Sequence, residues 1–195
     1  MYKYFLLSVL FISVFGVAQS QKLSVTVKYV TTHGPADKST IYYDGQRKLT
    51  WDDFQGNPDN SVEYAALTSS GFGIDLEMHG NSSSASMTII VFCTFSKPES
   101  WVKPDQKSDY ILNHEQHHFD LTYIYTQRFV KKLQEANFTV KNYQDLIKRI
   151  YDDAERDLHD EQAKYDDETH HSVIKARQEE WNKKIDEELA ALNGN

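Results

Sequence analysis

A single cysteine, Cys93, stands among 195 residues, so no intrachain disulfide can form. Four prolines and eight glycines leave little material for linkers, and no internal repeat or low-complexity stretch divides the chain. Bases are in deficit, 21 Lys and Arg against 29 Asp and Glu, for a formal charge of -8. That balance speaks against nucleic acid as a partner, because phosphate recognition needs a basic face. Apolar runs of the roughly 20 residues needed to span a bilayer are also missing. The nearest candidate, residues 4–17, is short, follows the cation Lys3 and precedes Ala18-Gln19-Ser20, a small-x-small cleavage site. Residues 1–20 therefore read as an export signal. The expected mature chain, residues 21–195, is a periplasmic or extracellular protein with no stable membrane span. Its 175 residues (195 less 20) suit one domain with one core.

What is present changes character halfway along. Leu23, Val25, Val27 and Tyr29 alternate with Ser24, Thr26 and Lys28, and Phe72, Ile74, Leu76 and Met78 alternate with Gly73, Asp75 and Glu77. Period-2 alternation predicts half-buried strands. Between the second of these and the apolar run 85–95 lies His79-Gly80-Asn81-Ser82-Ser83-Ser84, a turn-forming stretch that predicts a hairpin. Residues 40–43 are a weaker strand candidate, and Thr50-Trp51-Asp52-Asp53 has the Thr-x-x-Asp start of a short helical turn. Beyond Pro104 the period becomes helical. One helix is expected from Tyr110 to about Ala136, capped by Ser108 or Asp109, a second over residues 143–166 and a third over 173–192. Strands over 21–104 followed by helices over 105–195 is the α+β order, with a mostly antiparallel sheet packed on the helical half.

The chemistry concentrates in His114-Glu115-Gln116-His117-His118. Four residues along a helix is about 40° in projection and about 6 Å of rise, so His114 and His118 can direct two imidazoles at one ion. Zinc suits such a pair, taking neutral imidazole nitrogens at about 2.0–2.1 Å and keeping a position for water in catalytic sites. Glu115, beside the first ligand, is placed to accept the proton of the attacking water. The histidine and glutamate content of this chain predicts about 0.02 such motifs by chance, so the match carries weight. His117 offers an alternative pairing with His114, but the position of Glu115 favours His118 and leaves His117 to solvent or a supporting contact.

A third ligand is needed. Six of eight histidines lie between His114 and His171, and the pair His170-His171 sits at the turn between the second and third helices. Asp166, Glu168 and Glu161 compete as oxygen donors. Asp120 is a poorer choice, because two residues beyond His118 is about 200° around the helix. Tyr165 either directs its hydroxyl at the site to steady an oxyanion or continues the apolar stripe of the second helix. His159, on a helix rich in acids, is expected at the surface, and Cys93 as a small buried hydrophobe.

The segments Leu49-Thr50-Trp51-Asp52-Asp53-Phe54, Ala66-Leu67-Thr68, Ser100-Trp101, Asn113 through Asp120, Arg128, Tyr165 through His171, Gln178 and Trp181 together resemble a bacterial domain-of-unknown-function family described as secreted zinc-dependent proteases. The likeness spans most of the mature chain. It implies a zincin-like fold around the HExxH helix. In that family the segment around residue 165 reads Tyr-Asp-x-x-Thr-x-His and is usually followed by glycine, which implies His171 as third ligand; here Ser172 follows. The combined expectation is a secreted zinc metallopeptidase acting on a peptide or protein substrate. His114, His118 and His171 hold Zn2+, Glu115 is the general base and Tyr165 a helper. A zinc-binding envelope protein without turnover is the alternative.

Overall fold

Why the first half of the chain becomes a sheet is visible in its longest strand. The computed structural model describes residues 22–35, 37–81 and 84–193; the expected export signal, residues 1–20, lies outside them. Six strands form, β1 (Lys22–Tyr29), β2 (Thr40–Tyr42), β3 (Ala66–Leu67), β4 (Ser70–Gly80), β5 (Ser84–Ser96) and β6 (Trp101–Val102). Along β5, Met87, Ile89, Val91, Cys93 and Phe95 are buried while their neighbours are only partly so. Each side chain removed from water in this way stabilises the fold by roughly 1.5–3 kcal/mol if it is Val-sized or larger.

β4 pairs with β5 in antiparallel register from Ser70 opposite Phe95 to Gly80 opposite Ala85. Asn81 closes this expected hairpin, its N–H donating to the Ser84 carbonyl at 2.9 Å and its side-chain oxygen accepting from the Ser84 N–H at 3.0 Å. The other edge of β5 is shared. β1 runs parallel to it from Lys22 opposite Ser84 to Tyr29 opposite Val91, and β2 runs antiparallel opposite residues 94–96. The sheet is therefore mixed: its pairings with β4 and β2 are antiparallel, as expected of most of it, and β1 adds a parallel strand. Alternation reports which face a side chain takes and says nothing of strand direction. β3 and β6 form a separate two-stranded ribbon.

Three helices follow: α1 (Asp109–Glu135), α2 (Tyr143–Thr169) and α3 (Lys175–Asn193). Ser108 caps α1, its hydroxyl accepting from the Ile111 N–H at 3.2 Å. α1 is the central element, buried on nearly every side between residues 114 and 122. Phe129, Val130 and Leu133 pack with the sheet residues Phe72, Ile89 and Val91 and with Ile147 and Leu158 of α2. Leu121 and Ile124 pack instead with Tyr165, Trp181 and Ile185. No helix among the described residues is long and apolar enough to cross a membrane.

α2 ends three residues later than expected and α3 begins two residues later. Between them His170, His171 and Ser172 all take positive φ, at 48°, 49° and 71°. A left-handed non-glycine residue costs roughly 1–2 kcal/mol, so this turn is held against its own preference. Its bonds are local: the His171 N–H donates to Asp166 O at 3.0 Å and the Ile174 N–H to Thr169 O at 2.8 Å.

Candidate metal centre

α1 carries His114, Glu115 and His118 on the side facing a groove of about 690 Å³. The opposite wall is α2 with Gln162 and Asp166, and the rim is the chain from Tyr64 through Phe72. Three donor atoms converge where α1 meets α2. His114 Nε2 and His118 Nε2 are 3.2 Å apart, and Asp166 Oδ1 lies 3.1 Å from the first and 3.0 Å from the second. Ligands on a tetrahedral ion with 2.0–2.1 Å bonds are separated by about 3.3 Å, so this triangle has the size of one coordination face. His114, His118 and Asp166 together can hold a metal ion.

The hydrogen bonds behind the ligands strengthen that fit. Gln162 donates from its amide nitrogen to the backbone carbonyl of His118 at 3.1 Å, which turns its oxygen toward His118 Nδ1. The Tyr165 hydroxyl donates to the His114 carbonyl at 3.4 Å and accepts from Gln178 Nε2 at 2.6 Å. Gln178 Oε1 is thereby left to accept from His114 Nδ1 at 2.8 Å. Both imidazoles thereby meet an acceptor at Nδ1 and turn Nε2 toward Asp166. Two ring nitrogens and a carboxylate oxygen then face one another, an arrangement that requires positive charge among them. In the metal-free chain a proton supplies it. Burial acts to lower the pKa of His118, but the bond to Asp166 and its charge outweigh burial and push it up to about 9. Burial likewise acts to raise Asp166, and the bonds from His114 and His118 outweigh it and hold the carboxyl well below the usual carboxylate range.

His171 lies at the edge of this group. The left-handed turn brings its Nδ1 to 3.3 Å from Asp166 Oδ1, and its ring packs 5.0 Å from that of Tyr64. It remains 42% exposed, against 3% for His114. Asp166, one of the oxygen donors the spacing left open, takes the inner position, and His171 stands outside it. Glu115 is buried on the groove wall, its Oε2 accepting from the Thr68 hydroxyl at 2.7 Å. Tyr165 does not line the groove. It is fully buried, its ring stacked 4.5 Å from His114 and tilted 5.2 Å from Trp181, and it supports the metal-facing histidines from behind.

The far side of α1 carries a second polar set. Asp120 is fully buried and accepts from Tyr43 Oη at 2.8 Å and Gln116 Nε2 at 2.8 Å, with His117 Nδ1 at 3.2 Å and Lys48 Nζ at 3.7 Å. Gln116 Oε1 accepts from the Leu49 N–H at 2.8 Å. His117 is thus buried in a supporting contact, whereas His159 is 83% exposed on the groove rim and Cys93 is fully buried. Sequence reasoning gave no role to Gln162 and noted Thr68 and Gln178 only as parts of a resemblance. Gln162 sits four residues before Asp166 and shares its helix face, a readable signal. Thr68 and Gln178 reach the site from 47 and 64 residues away, and no local period marks them.

Residues 46–172 match the family model described as bacterial protein of unknown function, DUF922, and that span contains His114, Glu115, His118, Asp166 and His171. The family description names no activity. No curated protein and no solved structure matches the chain. With about two thirds of its length inside the matched span, the chain belongs to this bacterial DUF922 family.

Proposed function

We propose that this chain is an exported zinc-dependent metallopeptidase. The observation that carries the reading is the joint geometry of α1: two imidazoles whose Nε2 atoms converge beside a carboxylate, and a second carboxylate, Glu115, on the wall of an open groove. His114, His118 and Asp166 would hold zinc, with His171 beside Asp166 at the edge of the group. Zinc so held supplies a Lewis acid and lowers the pKa of water. Glu115 takes the proton of the attacking water and returns it to the leaving amine, so its carboxylate must stay aimed at the groove. The Thr68 hydroxyl does that aiming.

The groove rim also suits an extended substrate. The Lys103 N–H donates to Ala65 O and the Ser96 N–H to Ser69 O, each at 2.8 Å, so residues 65 and 69 spend their main-chain groups on β6 and β5. Alternation turns those of Ala66 and Ser70 the other way, toward the groove. A peptide in strand conformation can pair there.

One observation favours a second reading, a zinc-binding envelope protein without turnover. His171 Nδ1 lies 3.3 Å from Asp166 Oδ1, outside the three-donor cluster, and if it moved in it would bring the protein donors to four, enough to fill a tetrahedral ion. Metal analysis and peptide-library cleavage on the wild type and Glu115→Gln separate the two. The peptidase reading expects one zinc per chain in both proteins and cleavage lost by at least about 100-fold in the variant. Zinc in both with cleavage in neither favours the binder.

A further inference from the structure

The groove continues past the metal donors, and its far end has another chemistry. Phe72 and Leu158, both buried in the main core, and Ala163 are among the residues that line it. Glu155 stands at the mouth of this trough, exposed to solvent. It follows the stripe of α2 that carries Leu158, Gln162 and Asp166, at spacings of three, four and four, so all four face the groove together. Tyr151, one turn before Glu155 on α2, donates its hydroxyl to the Phe72 carbonyl at 3.3 Å and closes the trough beside it. Among the described residues that line the groove there is no Lys or Arg, and the other charged or titratable groups are Glu115, Asp166, Tyr64 and four histidines. A cation entering this end therefore meets an exposed carboxylate and no Lys or Arg.

We infer that this end of the groove is a side-chain subsite and that Glu155 selects a peptide carrying Lys or Arg there. The inference rests on the peptidase reading for its substrate class. Lysine and arginine alone combine an apolar stem, which fits the trough of Phe72 and Leu158, with a cationic head at the distance of the carboxylate. Eleven residues of α2 separate Glu155 from Asp166, about 16 Å along the helix. An extended chain covers that span in about five residues, and the length of the basic side chain shortens the requirement. The basic residue accordingly sits roughly three to five positions from the bond that is cut.

Two fluorescent peptides, identical except for Lys or Gln at that position, test the subsite by binding to the zinc-loaded Glu115→Gln chain, which does not cut them. The Lys peptide is expected to bind about fivefold tighter, the scale of a partly exposed ion pair. In Glu115→Gln/Glu155→Gln the two peptides become equal, while the Gln peptide binds as before. Equal binding to the parent chain, binding of neither peptide, or a preference that survives Glu155→Gln overturns the inference. Cleavage by the wild type is scored separately. Preference in binding without cleavage removes the peptidase reading and leaves the subsite standing, and cleavage without preference does the reverse.

Discussion

Gln178 offers no donor atom to a metal, yet it decides which nitrogen His114 presents. Gln178→Leu leaves His114 Nδ1 without its acceptor, and the expected result is zinc affinity lowered 10–100-fold in competition with a chromophoric chelator. Gln178→Glu keeps an acceptor there and should retain most of the affinity; equal loss in both variants would show that the residue serves packing alone. The same pair of charges sets a pH dependence in the metal-stripped chain. The folded pKa of His118 is raised from 6.5 to about 9, so its contribution is complete below about pH 6.5 and fades as pH climbs toward 9. Asp166 is shifted the other way, so its contribution is complete above about pH 3.8 and fades as acid is added. Melting temperature of the stripped protein should therefore fall between pH 6.5 and 9, and Asp166→Asn should flatten that limb. At this scale the sequence revealed what is local. His114, Glu115 and His118 follow from helical spacing, whereas the choice of Asp166 over His171 for the inner position depends on how a turn folds back, which no spacing encodes.

Helices and turns were legible where capping chemistry is strong and obscure where conformation is strained. The end of α1 near Ala136 and the Ser108 cap match the expectation closely. The end of α2 does not, because three consecutive left-handed residues are an arrangement that propensities argue against. Ser172, at φ 71°, occupies the place where glycine is usual in the family that the sequence resembles. Its side chain makes no hydrogen bond that would be lost, its carbonyl accepts from Tyr110 Oη at 2.7 Å, and its N–H approaches Thr169 Oγ1 at 3.4 Å. Ser172→Gly should relieve roughly 1–2 kcal/mol of left-handed strain against about 0.5–1 kcal/mol of added chain entropy. The net is a melting temperature higher by about 1–3 °C. A lower value in calorimetry would mean the turn is not strained at that residue.

Across the whole molecule, the class α+β followed from the order of periods, but the strand order did not. β1 and β2 line up end to end on one edge of β5, a pairing between segments far apart in the chain, and alternation is blind to it. The three clustered donors are likewise distributed, two on α1 and one on α2. An ion bound there would tie the two helices together and bind only the folded form. At a thousandfold excess over its dissociation constant zinc should stabilise the fold by about 4 kcal/mol, and a chelator should lower the melting temperature by roughly 8–15 °C. A chain whose melting is indifferent to both has no such site.

Asp120 and the metal donors have a joint consequence for α1. On one side Gln116 and Asp120 fasten the helix to Tyr43, Lys48 and Leu49, and on the other His114 and His118 face Asp166. Rolling the helix by one residue, about 100°, would break both sets together. α1 thus has a single permitted azimuth, and the buried carboxylate of Asp120 works as the key in a shaft, keeping the imidazoles aimed whether or not anything is bound between them.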